Sequence, residues 1–451
     1  MYDQITAMAK EIFERSVARR RDLHRHPETG WLEMRTSAVI AGILTELGYE
    51  VLTGSNVLDG EARLGLPSEA ALREHANLIR ENWNTPLTYL TEEMEAGYTG
   101  VIGILRCGQG PVCALRFDID ALGVLEDENT CHRPAREGFA SQCPGVMHAC
   151  GHDGHTAIGL GVAEVLMNLR AQLHGTVKLI FQPAEEGVRG ARAIVSKGHL
   201  DDVDYFVGTH LAPLDGPDDG AVTPATYGSL ATTKYDVIYR GAPAHAGGFP
   251  EKGRNALLAA ASAAMGLAAI PRHSEGASRV NTGTLHAGTG RNVIPDYAKM
   301  EIELRGETTA VNAYMEDSAR RICEAAAAMY GCTCEMICMG AADSHHSDLA
   351  LADRAAALIG RELPDIRVSS VRNVRNWGSE DISLMMNRVQ SHGGQAICMR
   401  NMTRMEAPQH TADFDFDETV LEEGIRIFSA VTCDLMQDET YKDTRQRGEN
   451  K

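Results

Sequence analysis

Between about residues 224 and 339 the chain reads strand, helix, strand, strand, helix, strand. The strands are Thr232 to Tyr239, Arg279 to Leu285, Tyr297 to Leu304 and Thr333 to Met339, and the Ala-rich helices are Asn255 to Ile270 and Asn312 to Tyr330. That order is the ferredoxin-like split unit. The pattern on either side is different. Gly100 to Leu105, Val112 to Phe117, Thr176 to Phe181 and Tyr205 to Thr209 read as strands, separated by helical stretches from Asp153 to Leu169 and Ala191 to Val195. Strands alternating with helices predict an α/β unit with a largely buried sheet. The chain is therefore expected to be one α/β domain, residues 1–223 and 340–437, interrupted by a smaller β-α-β-β-α-β domain at 224–339.

The ends add detail. Residues 1–50 carry helical periodicity in Ile5, Met8, Ile12 and again in Val39, Ile43, Leu44, Leu47, with Gly48 as a helix stop. Residues 56–97 are polar and helix-prone, with a start at Pro67-Ser68-Glu69, and read as a cap insertion. Arg19, Arg20 and Arg21 read as a solvated helix face, His24 and His26 as the end of that helix before Pro27, and His345-His346 as a polar loop. Cys332, Cys334 and Cys338 lie at even spacing on a strand and read as one buried face. The polar tail 438–451 is expected to be disordered.

Charge narrows the partners. Lys+Arg 43 against Asp+Glu 62 leaves −19, so a phosphate backbone is repelled and nucleic-acid binding is not expected. No apolar run reaches the ~18 residues of a membrane span. Asp3, Glu11 and Glu14 argue against a signal peptide. The 11 scattered cysteines do not form a disulfide framework, and a cytoplasmic protein with reduced thiols is expected.

Chemistry concentrates in two short stretches. In His148-Ala149-Cys150-Gly151-His152-Asp153-Gly154-His155, four potential metal donors fall within eight residues. Cys150 and His152, two apart, would leave the same side of an extended segment. The second stretch is Gln182-Pro183-Ala184-Glu185-Glu186-Gly187, after an apolar strand. Two adjacent carboxylates there resist ionisation unless a cation is present. With one Glu on a metal and the other on water, the pair suits metal-assisted hydrolysis. His210 at the end of its strand and His410 in Pro408-Gln409-His410 are further candidates. Asp118 and Asp120, at another strand end, could orient a ligand His from behind. His245 and the Asn292-Val293-Ile294-Pro295 turn lie in the inserted unit, where spacing assigns them nothing.

These stretches together resemble the peptidase M20 family of metallopeptidases and amidohydrolases, in its aminoacylase-like subfamily D. The matching runs are HACGHDGHTA, LIFQPAEEG, GTH, PAHAG, GRNVIPD and GSED, in order from residue 148 to 381. GWLEMRTS (30–37), RLGLP, HRPAREGFAS (132–141), DDVDYF (201–206), HSEGASRVN (273–281) and FDFDE (414–418) are similar to the branch that acts on p-aminobenzoyl-glutamate. The resemblance implies a catalytic domain with a mixed sheet flanked by helices, and an inserted domain that serves as lid and dimerisation surface. It implies two divalent ions, Mn or Zn, on Cys150, His152, Glu186, His210 and His410, with Cys150 bridging. Glu185 would be the general base, and His245 would reach a partner subunit's oxyanion. Asn292 and Arg305 would meet the substrate's free carboxylate. The implied reaction is hydrolysis of an amide between an acyl or aroyl group and an amino acid, by a homodimer or a heterodimer with a homologous subunit. The rival readings are a general N-acyl-amino-acid or dipeptide hydrolase, and a non-catalytic metal-binding subunit. The latter would be favoured by loss of Glu185 or a ligand, and all are present. Two departures touch the acyl pocket: Gln409 stands where the branch has His, and Gly123 where Pro is commoner.

Overall fold

A computed structural model describes residues 1–437 apart from 82, 84–85, 215–219 and 377. The tail expected to be disordered lies outside the described residues. In chain order the strands are β1 (Glu50–Thr53), β2 (Val101–Arg106), β3 (Val112–Asp118), β4 (Thr176–Gln182), β5 (Tyr205–Pro213), β6 (Val222–Thr223), β7 (Ala225–Tyr227), β8 (Ala231–Arg240), β9 (Ser278–Ala287), β10 (Tyr297–Gly306), β11 (Thr333–Ala342), β12 (Asn373–Arg375) and β13 (Gln395–Thr403). A seven-stranded sheet has the order β1-β2-β4-β3-β5-β13-β6. Its inner strands β4, β3, β5 and β13 run parallel, while β1–β2, β2–β4 and β13–β6 pair antiparallel, so the sheet is mixed.

Helices cover both faces of this sheet. On one side the helix His152–Leu169 packs between Tyr2–Arg25, Met34–Leu47 and Thr419–Leu435. It is buried nearly all round, which is why its sequence is apolar without a polar stripe. Gly159 allows the close approach: a Cβ there would lie 2.7 Å from the Phe117 ring. The other face is covered by Ala191–Ser196 and Ile382–Ser391. With both faces covered, β4 is buried from Val177 to Gln182, as parallel strands usually are.

The inserted unit is a four-stranded antiparallel sheet, β11-β8-β10-β9, with helices Ala256–Ala268 and Thr309–Met329 on one face. Here β10 alternates: Ala298, Met300, Ile302 and Leu304 are buried, while Lys299, Glu301, Glu303 and Arg305 turn the other way. One covered face explains the period of two.

Three sequence readings are corrected. Arg20 is not on a solvated face. It is wholly buried and bonds Asp153 (2.8 Å), Asp415 (2.8 Å) and Glu418 (3.3 Å). Two of these partners lie 133 and 395 residues further on, where helical periodicity cannot see them. His24 and His26 do end the first helix, at its last turn and its cap, and His24 sits inside the core, between Asp153 and Glu126. His345 is buried rather than in a polar loop, held by Ser229 Oγ at 2.6 Å and Thr226 Oγ1 at 2.9 Å. His210 lies within β5, which continues to Pro213. Cys332, Cys334 and Cys338 do pack against the core of the inserted unit, half-buried.

Candidate metal centre and active site

Cys150, His152, Glu185, Glu186, His210 and His410 converge beyond the carboxyl ends of β3 and β4, against β5. The chain moves from β3 to β4 on one side and then to β5 on the other, and such a reversal opens a crevice in a parallel sheet. Local geometry at Cys150 differs from the extended segment expected. Gly151 takes φ +91° and caps the helix that His152 begins, so a left-handed turn, not a strand, aims the two donors.

Hydrogen bonds sort the histidines. His152 Nδ1 faces the Asp120 carbonyl at 2.9 Å and its Oδ1 at 3.2 Å, so that nitrogen carries the proton. His210 Nδ1 faces the Leu211 carbonyl at 2.7 Å and carries a proton for the same reason. Both rings thus turn an Nε2 lone pair inward, the orientation that a metal-binding His takes when its other nitrogen is anchored. His155 differs. Its Nδ1 bonds Asp118, and its Nε2 accepts the Leu211 N–H at 2.8 Å, so it has no lone pair left. His148 is buried but belongs to none of the clusters of potential ligand atoms. Of the four donors in the eight-residue run, two remain available.

Two groups of ligand atoms share one sulfur. Cys150 with His152 and His210, and Cys150 with Glu186 and His410, each lie within 4.8 Å of one another. His410 Nε2 is 3.4 Å from the Cys150 sulfur and 3.5 Å from Glu186 Oε1. His152 Nε2 and Glu186 Oε1 are buried and lack a hydrogen-bond partner among the described residues. The donor set of one thiol, three imidazoles and one carboxylate suits borderline divalent ions. These residues fit a two-ion site.

The electrostatics agree. Burial, then the charges of Glu380, Glu186 and Asp381, pushes Glu185 well above the carboxylate range. Burial pushes Glu186 up to about 7, with Asp120 and Glu380 adding to the rise. Burial also pushes the Cys150 thiol well up. Carboxylates and a thiol so crowded resist ionisation, and bound cations reverse that balance.

The sequence profile of peptidase family M20/M25/M40 matches residues 114–433. The chain belongs to this family. An indole-3-acetyl-aspartic acid hydrolase of Enterobacter agglomerans is 48% identical over 407 residues, covering 89% of this chain and 91% of the relative. A p-aminobenzoyl-glutamate hydrolase chain of Escherichia coli is 46% identical with the same coverage. Among solved structures, an aminobenzoyl-glutamate utilization protein of Klebsiella pneumoniae is 40% identical, covers 95% of this chain and 98% of its own, and superposes with a TM-score of 0.81. A dinuclear metal-binding M20 peptidase of Bacillus subtilis is 27% identical, covers 95% and 99%, and gives 0.63. This M20 chain is a metal-dependent hydrolase with a mixed sheet flanked by helices.

The turn that presents the two glutamates in this M20 chain is strained and clamped. Ala184 (φ +50°) and Val188 (φ +60°) are left-handed, a costly conformation for a β-branched residue. Three carboxylates hold the turn. Asp120 accepts the N–H groups of Glu185 (3.1 Å) and Glu186 (2.9 Å), Glu33 accepts that of Ala184 (2.7 Å), and Asp381 accepts those of Gly190 and Ala191. Asp120 therefore orients His152 and both glutamates at once. Asp118 is held well below its ordinary value: burial opposes ionisation, but Arg116, His152 and His155 outweigh it.

Glu380, Asp381, Glu33 and Arg116 carried no assignment from spacing. Glu380 Oε1 lies 3.8 Å from His210 Nε2, and its Oε2 is buried without a partner among the described residues. The acidic pair in GSED was the available signal. A cleft of about 460 Å³ opens over the cluster and also reaches Lys234, Arg305 and Arg400. His245 and Asn292 do not line it. They are exposed on the inserted unit, next to each other through the Ala246 N–H to Asn292 carbonyl bond. His245 Nδ1 accepts the N–H groups of Gly247 and Gly248, which leaves the proton on Nε2 as an outward donor.

Proposed function

We propose that the chain is a dinuclear amidohydrolase that cleaves p-aminobenzoyl-glutamate to p-aminobenzoate and glutamate. Cys150 carries this reading: its sulfur belongs to both ligand groups, so one side chain can bridge two ions. Cys150, His152, Glu186, His210 and His410 are assigned as ligands of two divalent ions, Mn or Zn. Ions of this kind polarise an amide carbonyl and make water more acidic.

The remaining roles fall to the protein. Glu185, inside the cluster but outside the shared-sulfur groups, takes the proton of the attacking water and returns it to the departing amine nitrogen. Asp120 holds Glu185 in place through its backbone N–H. Arg305, in the cleft, faces the free carboxylate of the substrate; Asn292, outside the cleft beside His245, joins it only on closure of the inserted unit or from a second subunit. His245 supplies a hydrogen bond to the developing oxyanion from outside, which requires closure of the inserted unit or a second subunit. Residues 224–339 are accordingly assigned as lid and dimerisation domain of a homodimer or heterodimer. The catalytic domain then comprises 1–223, with its cap at 56–97, and 340–437. All eleven cysteines are free, which fits a reducing, cytoplasmic setting.

Two relatives at almost equal identity act on different acyl groups, so both substrates belong in the test. The purified chain is stripped of metal, reloaded with Mn or Zn, and assayed for release of glutamate from p-aminobenzoyl-glutamate and of aspartate from indole-3-acetyl-aspartate. Metal-dependent glutamate release supports the reading. Release of aspartate alone replaces the substrate and keeps the chemistry. Release from neither, with full metal occupancy, overturns it.

A further inference from the structure

The cleft over the ligand cluster carries cations as well as carboxylates, and they are not equally partnered. On the inserted unit Lys234 and Arg305 share one carboxylate. Lys234 faces Glu303 across the β8–β10 pair, 4.0 Å away, and Arg305 donates to Glu303 Oε1 at 2.9 Å. Two cations against one anion leave a net positive charge. Arg400 lies on the other unit, in β13, half-buried. Its side-chain partner among the described residues is an amide: its guanidinium donates to Asn376 Oδ1 at 3.4 Å. In the parallel β5–β13 pair Arg400 is the register partner of His210. Neighbouring strands lie about 4.8 Å apart, so Arg400 stands beside a residue of the reacting centre.

A half-buried guanidinium whose side-chain partner among the described residues is an amide oxygen, in a chain of net charge −19, is suited to receive a carboxylate. The cleft thus offers two separate positive positions, one on each unit. An amino-acid leaving group always has an α-carboxylate, and only aspartate and glutamate have a second. Resting on the amidohydrolase reading above, we propose that Arg400 binds the side-chain carboxylate of the leaving amino acid. The Lys234–Arg305 pair takes its α-carboxylate. The cleft then selects acyl derivatives of acidic amino acids, whatever the acyl group.

The test compares p-aminobenzoyl-glutamate with p-aminobenzoyl-glutamine on the metal-loaded protein. Arg400→Gln and Arg400→Lys are measured beside wild type, with metal content and melting temperature as controls. Wild type should prefer glutamate. Arg400→Gln should reduce the glutamate-to-glutamine ratio of kcat/KM by about 100-fold, mainly through KM, and Arg400→Lys should recover part of it. Equal losses on both substrates would mean that Arg400 holds the α-carboxylate or the fold, and overturn the proposal. So would a wild type indifferent to the two. Calorimetric binding of the same two compounds separates this proposal from the hydrolase reading. Without any hydrolysis, a glutamate preference in binding that Arg400→Gln abolishes still supports the Arg400 assignment, and its absence sinks it.

Discussion

The catalytic unit and the inserted unit solve the same problem, a sheet with an apolar face, in opposite ways. The seven-stranded sheet is covered on both sides, and its site is built from buried charge clamped by buried charge. Arg116 contacts Asp118 and Asp381, and Asp120 grips the glutamate turn. The four-stranded sheet is covered on one side, and its candidate residues His245 and Asn292 stand in solvent, fixed mainly through backbone N–H groups. Residues of the first kind are preorganised in one chain. Those of the second kind would act only when something is brought to them.

The sharpest test of the preorganised side is Glu185→Gln. It should lower kcat by about 10²–10⁴-fold with full metal occupancy, measured by initial rates and elemental analysis; wild-type kcat would remove Glu185 from the role of base. Arg20→Met comes next. It strands Asp153, Asp415 and Glu418 in the core, and denaturant titration should show a loss of about 3–5 kcal/mol.

On the inserted unit, His245→Ala should cost about 10²–10³-fold in kcat at constant metal content and melting temperature. An unchanged kcat would leave His245 without a chemical role and reduce the insert's part to the cations that line the cleft.

Acid should act on the catalytic unit first. Glu126 is held down to about 2 in the fold, because hydrogen bonds from His132 and His24 outweigh the cost of burial. Its ordinary value is 4.5, so its contribution is complete above that value and is lost as pH falls through about 2. Hydrogen exchange between pH 5 and 2 should therefore loosen the helix Tyr2–Arg25 before β8–β11. The smallest effect is expected at Met265, exposed on the helix Ala256–Ala268. Met265→Ser should change stability by less than about 0.5 kcal/mol. A larger loss, dependent on protein concentration, would place a second subunit on that face.

Much of this was legible in the chain. Period-two and helical patterns marked the inserted unit's β-α-β-β-α-β order, and the buried run Val177 to Phe181 announced a covered parallel strand. Donor-rich stretches marked Cys150, His152, Glu185 and Glu186, because metal chemistry needs particular atoms and few residues supply them. Three-dimensional structure alone decided the rest. It separated His152 from His155, since only the bonds from Asp120, Asp118 and Leu211 reveal which ring keeps a free lone pair. It moved Arg20 from the surface to the core, joined Glu380 to His210, and set Arg400 beside His210. In each case the deciding partner is remote in sequence, and periodicity reports which way a side chain points from its own element, not what another element brings to meet it.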